Sequence, residues 1–157
     1  MTRNEKTDII RACVPRLREL IAGLSDQELI TPYDSGEWTI AQNIHHLADT
    51  HLNTYLRFKF ILTTESPTLP MILAPEMAQL PDASDANVEA SLTMLEGIHL
   101  RWINMMQQID DWSQSGYYPR LELDFSLEGL LDYYSEHCNI HYRQIQGVMA
   151  KMPESLA

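Results

Sequence analysis

His137 and His141 stand four residues apart in the stretch Tyr133-Tyr134-Ser135-Glu136-His137-Cys138-Asn139-Ile140-His141. On a helix that spacing puts both imidazoles on one face, one turn apart. Two imidazoles so placed can grip a transition-metal ion, provided a third ligand comes from elsewhere in the fold. His45, His46, His51 and His99 are the histidines that could supply it. Cys138 lies between the pair and is a candidate soft fourth ligand, although a buried free cysteine usually acts as a small hydrophobe. The plainer reading is a pair of packed, hydrogen-bonded histidines. An i,i+4 pair on an inward face, with more histidines on another long helix, favours the metal.

Other chemistries find less support. The chain has one Glu-x-x-His, Glu96-Gly97-Ile98-His99. A di-iron carboxylate bundle needs two, with further inward glutamates, and neither His137 nor His141 has a Glu three residues earlier. There is no nucleophile elbow, P-loop or Rossmann glycine set. His99, beside Trp102, reads as a packed histidine.

Four long helical patterns must position these residues. The first runs from about Thr7 to Leu24, with Ile10, Cys13, Val14, Leu17, Leu20, Ile21 and Leu24 at the helix period. Ser25-Asp26-Gln27-Glu28 is a capping box that predicts a short helical turn. The second long pattern runs from Trp38-Thr39 to about Leu62. Its apolar stripe carries His51, and a separate polar face carries His46, Thr50, Asn53 and Arg57. Asp49, three residues after His46, is placed to orient it as an outer-shell partner. On periodicity alone, His46 and His51 both remain open as the third ligand.

Residues 63–86 contain Pro67, Pro70, Pro75 and Pro81 and cannot continue a regular helix. The segment is too apolar for a free linker and predicts a packed crossing loop over one end of a site. The third helix spans about Asn87 to Ile109. Residues 110–124 read as irregular, with Tyr117-Tyr118-Pro119-Arg120 able to reach a pocket mouth. Ser126 caps a fourth helix from Leu127 to about Met152, which Pro153 ends. No stretch reads as a convincing alternating strand. The expected class is all-α, a four-helix bundle with a long crossover connection, in one domain over residues 1–157.

Composition narrows the partners. The formal net charge is −11, with 11 basic and 22 acidic residues. Such a chain repels phosphate backbones and anionic membrane surfaces, so nucleic acid and membrane are not expected partners. No apolar run is long enough for a membrane span, the N-terminus does not read as a signal peptide, and two cysteines make no disulfide framework. A cytoplasmic protein is expected.

The stretch from Gly36 to Lys59, containing Trp38-Thr39-Ile40-Ala41-Gln42-Asn43-Ile44-His45-His46-Leu47-Ala48-Asp49-Thr50-His51, resembles the DinB/YfiT-like family of metal-dependent enzymes, and the YfiT branch most. Ile98-His99-Leu100-Arg101-Trp102, Tyr118-Pro119 and the His137/His141 pair are similar in order and spacing. The resemblance extends from Leu24 to Ile145. The branch usually has Pro-Tyr-Asp-Glu and a Trp where this chain has Met71-Ile72-Leu73-Ala74-Pro75-Glu76-Met77. It also has a longer N-terminal arm and more histidine around its last ligands.

The resemblance implies a four-helix bundle holding one divalent transition-metal ion, Ni or Zn, through His46, His137 and His141. It thereby settles the third ligand on His46, and it makes the face with Asn53 and Arg57 a pocket wall. It implies a metal-dependent thiol S-transferase or small-molecule hydrolase, with a low-molecular-weight thiol as one expected partner, and a homodimer. Three imidazoles leave a coordination position open for activating water or a thiol. Arg57 would hold a substrate carboxylate, and Asp49 would orient a ligand or move a proton. The alternative is a non-catalytic, metal-stabilised bundle acting as a binding protein, which a fourth protein ligand such as Cys138 would favour. The last reading is an acidic bundle with no metal.

Overall fold

The computed structural model describes residues 1–153. Helix α1 spans Arg3–Leu20 and starts at a capping box in which Thr2 and Glu5 satisfy each other's backbone N–H groups. The Ser25 box forms as expected and opens the short α2, Asp26–Ile30. Helix α3, Ile40–Thr63, is capped by Thr39 with Gln42 as its box partner. A short α4, Ala74–Met77, and a 3₁₀ turn, Pro81–Ser84, lie in the proline-rich segment. Helix α5 covers Val88–Met106. Helix α6 covers Leu127–Met149, with the Ser126 hydroxyl accepting from the Gly129 N–H. Among the described residues no helix is long and apolar enough to cross a membrane.

The four long helices make the expected bundle, and their order around it matters. Helix α1 packs on α5 and α6, and α3 also packs on α5 and α6. Helices α1 and α3 therefore lie on one diagonal, and α5 and α6 on the other. Two connections take the diagonal steps: the α2 segment, and the stretch between α5 and α6. The proline-rich stretch joins the neighbours α3 and α5. It is packed, as expected, with Leu69, Ala78 and Ala83 buried. Gln42 Nε2 donates to the Ala78 carbonyl at 2.9 Å and ties it to the start of α3.

Residues 110–124 are more ordered than their sequence predicts. Strand β1, Ser115–Tyr118, pairs antiparallel with β2, Leu123–Ser126. The hairpin also catches the proline-rich segment. Tyr117 N–H donates to the Pro67 carbonyl at 2.8 Å, and Leu69 N–H donates to the Tyr117 carbonyl at 2.7 Å. Gly116 allows this approach, because a Cβ there would lie 2.7 Å from the Leu69 side chain. Strands of four residues leave too short an alternation to read.

The core fills the space between the four helices. Trp102, Phe58, Leu47, Leu95, Leu131 and Ile10 are among its fully buried members. Each buried Leu or Phe contributes about 1.5–3 kcal/mol of transfer free energy. Trp102 meets Phe58 edge-on, with ring centroids 5.1 Å apart, an arrangement aromatic pairs favour.

Candidate metal centre

Packing α3 beside α6 brings His46, His137 and His141 together. One nitrogen from each lies within 4.8 Å of the other two. Nε2 of His137 is 3.4 Å from Nε2 of His46 and 3.1 Å from Nε2 of His141. His137 and His141 are buried and His46 is half-buried. The Trp38 ring covers the group, 4.7 Å from the His46 ring and stacked on His141 at 6.2 Å.

The hydrogen bond behind the His141 ring fixes which of its nitrogens carries the proton. Asn43 Nδ2 donates to the Thr39 carbonyl at 2.9 Å, so its Oδ1 is the atom that faces His141. An amide oxygen only accepts. His141 Nδ1 therefore carries a proton and donates to it at 2.9 Å, leaving Nε2 as a bare lone pair. His137 Nδ1 lies 3.3 Å from His51 Nε2, and His51 Nδ1 lies 2.9 Å from His99 Nε2. His99 Nδ1 sits beside the Ile10 carbonyl, outside ordinary hydrogen-bond geometry. A proton on that nitrogen makes every Nδ1 in the series a donor and every inner Nε2 an acceptor. His137 Nε2 then also ends as a lone pair. Two lone pairs 3.1 Å apart repel each other unless a cation sits between them, so the donor set fits a metal ion.

Burial keeps the rings neutral, which ligands must be. Desolvation lowers the pKa of His141 to about 4, and desolvation together with the neighbouring imidazoles lowers His46 to about 3 and His137 to about 2.

The remaining candidate residues fall into distinct places. His45 leaves the cluster and ties α3 to the start of α5, with Nδ1 2.7 Å from the Ser91 hydroxyl and Nε2 2.8 Å from the Asp85 carbonyl. Glu96 and His99 diverge: Glu96 pairs with Arg18 at 2.8 Å, while His99 points inward to His51. Cys138 does not join the three histidines and lies instead with His51 and His99. A hydrogen bond with Cys13, then burial, raises its pKa well above the ordinary thiol value, so it stays a thiol.

Asp49 shares a very small cavity with His46 under the proline-rich segment. Burial, then Asp82, raises its carboxyl pKa. No hydrogen bond joins it to His46 among the described residues. The residues that hold ligand rings are Asn43 and His51. The sequence reading passed over Asn43, although its position three residues before His46 put it on the same side of α3. Arg57 is buried in a neighbouring pocket with Tyr118 and Tyr134.

A cleft of about 490 Å³ opens on His46 and His141 and is also lined by Glu37, Trp38, Gln144 and Lys151. Lys151 pairs with Asp34 at 2.9 Å and with Glu37 at 2.6 Å. The cleft thus meets two of the three rings and has little unpaired charge.

Comparison with known proteins agrees with this fold. The DinB superfamily profile matches residues 10–145. YfiT of Bacillus subtilis (strain 168) is 32% identical over 139 residues, covering 87% of this chain and 78% of its own. Its solved structure, described as a probable metal-dependent hydrolase with an unusual four-helix bundle topology, superposes with a TM-score of 0.90 at 30% identity. That match covers 96% of this chain and 87% of that one. A relative from Geobacillus thermodenitrificans (strain NG80-2), named for the same activity, is 41% identical over 102 residues. The match covers 65% of this chain and 57% of that relative. A mycothiol-dependent maleylpyruvate isomerase shares the fold, with a TM-score of 0.69 at 17% identity over 92% of this chain and 61% of its own. Sequence and architecture thus agree over nearly the whole chain, which belongs to the DinB superfamily.

Proposed function

We propose that this protein is a metal-dependent enzyme whose divalent ion is held by His46, His137 and His141. The convergence of three Nε2 atoms beside an open cleft carries the reading. Bound there, such an ion supplies Lewis acidity and brings the pKa of water or a thiol toward neutrality. The protein's own part is to keep three imidazoles neutral by burial, to hold two of them by Asn43 and His51, and to pack Trp38 against His46 at the edge of the cleft. The names of the curated relatives support hydrolysis of a small molecule as the first activity to test.

One observation favours a second reading, attack by a small thiol. Glu37 is the single carboxylate among the residues that line the cleft, and Lys151 ties it up at 2.6 Å. Hydrolysis calls for a group that moves protons to a leaving group, whereas a thiolate adding to an electrophile needs no such residue. Nickel and zinc are the ions expected. The deciding experiment assays ester and amide hydrolysis, and displacement of chloride from a chlorinated nitroarene by a thiol, with the Ni- and Zn-loaded protein. Activity in one assay, lost in His46→Ala and after chelation, is the expected result. Equal rates in wild type and His46→Ala would overturn the proposal.

A further inference from the structure

A second pocket, of about 300 Å³, lies against the histidine cluster and is bounded by Arg57, Leu69, Tyr118, Arg120, Tyr133 and Tyr134. It shares a wall with the cluster. The Tyr133 ring stacks on His137 at 5.8 Å, and the Tyr134 ring meets His137 at 5.4 Å.

Arg57 is 4% exposed. Its Nε and Nη2 donate to the Pro70 carbonyl at 3.0 and 2.7 Å, and its Nη1 donates to the Tyr134 hydroxyl at 3.1 Å. Those bonds occupy three of its five N–H groups. Its charge lies 4.7 Å from the Tyr118 ring centroid. Among the described residues, neither Arg57 nor Arg120 has a carboxylate within ion-pairing distance. The chain has twice as many acidic as basic residues, 22 to 11. A cation buried without a counter-charge is costly, and a site that leaves one uncompensated is poised to take an anion. If Arg57 served only to anchor the loop at Pro70, it would need neither a second arginine nor an aromatic cavity beside it.

We propose that this pocket binds a small organic carboxylate with a flat, apolar body, the carboxylate on Arg57 and Arg120 and the body against Tyr118 and Tyr133. Any link between this anion and the metal-dependent reaction above rests on that reading; the binding itself does not. Benzoate and its neutral counterpart benzyl alcohol are suitable probes, titrated by NMR or calorimetry into wild type, His46→Ala, Arg120→Gln and Tyr133→Ala. Arg120 and Tyr133 are both exposed, so their substitution leaves the buried core intact.

Benzoate is expected to bind the chelator-treated wild type and His46→Ala alike. Affinity should fall about tenfold in Arg120→Gln, as loss of one charge-assisted partner costs, and benzyl alcohol should not compete. Absence of saturable benzoate binding, equal binding of benzyl alcohol, or unchanged affinity in both pocket variants would overturn the pocket. So would benzoate binding seen only in metal-loaded protein, since the anion would then sit on the ion. Benzoate binding to a wild type that takes up no metal would keep the pocket and remove the metal reading.

Discussion

Two groups of three possible ligands lie back to back in this bundle: His46, His137 and His141, and behind them His51, His99 and Cys138. Both satisfy a simple distance criterion. They differ in which lone pairs are free. In the first group, bonds to Asn43 and His51 use up Nδ1 of His141 and His137 and leave Nε2 pointing at the common centre. In the second, His51 spends one nitrogen on His137 and the other on His99, whose Nε2 is thereby occupied. Cys138 is held as a thiol by Cys13 and burial. One group is organised to receive an ion, and the other organises it.

The comparison can be broken most sharply at His137. Its replacement by Ala should take bound metal from about one ion per chain to almost none, because a site rarely survives with two ligands. Elemental analysis of protein purified without a His-tag measures this, and full metal in the variant would shift the site to the second group. Next come His51→Ala and Cys138→Ser as a pair. The first strips His137 of its outer partner and should weaken metal binding roughly 10–100-fold. The second should leave affinity unchanged in a competition titration, and metal loss there would make Cys138 a ligand. Asn43→Ala should weaken binding about tenfold, less than His51→Ala, since water from the cleft can replace the lost oxygen.

A separate effect, which does not involve the metal, concerns acid stability. Burial lowers the pKa of His99 to about 4, below the ordinary imidazole value. The unfolded chain therefore takes up this proton first as pH falls. The contribution of neutral His99 is complete above about pH 6.5 and is lost as pH approaches 4, by at most about 3 kcal/mol. Urea midpoints of metal-free protein should fall over that window. In His99→Gln, which keeps an acceptor for the His51 N–H, they should fall less.

Much of this arrangement is legible in the chain. The four helices follow from apolar spacing, and Thr39, Ser25 and Ser126 mark helix starts where they were read. The i,i+4 pair pointed to His137 and His141 because a helix needs no tertiary information to align them. The choice between His46 and His51 depended on family resemblance, since one faces the cluster and the other stands behind it on the same helix. Asn43 was not legible as a partner: its acceptor role exists only because α6 packs across α3. Asp49 had the right spacing and finds no bond to His46, because it faces the proline-rich segment. The hairpin was hidden by its brevity and by its dependence on Leu69 and Pro67.

The diagonal placement of α1 and α3, and of α5 and α6, bears on how the chain reaches this state. Of the successive long helices, α3 and α5 alone are neighbours, so theirs is the one helical hairpin that can close early. Residues 46 and 137 must then meet across a 91-residue separation, a non-local closure that rewards the chain late. During refolding, metal capture should accordingly coincide with the slowest phase, and ion uptake would report the arrival of α6 rather than the collapse that precedes it.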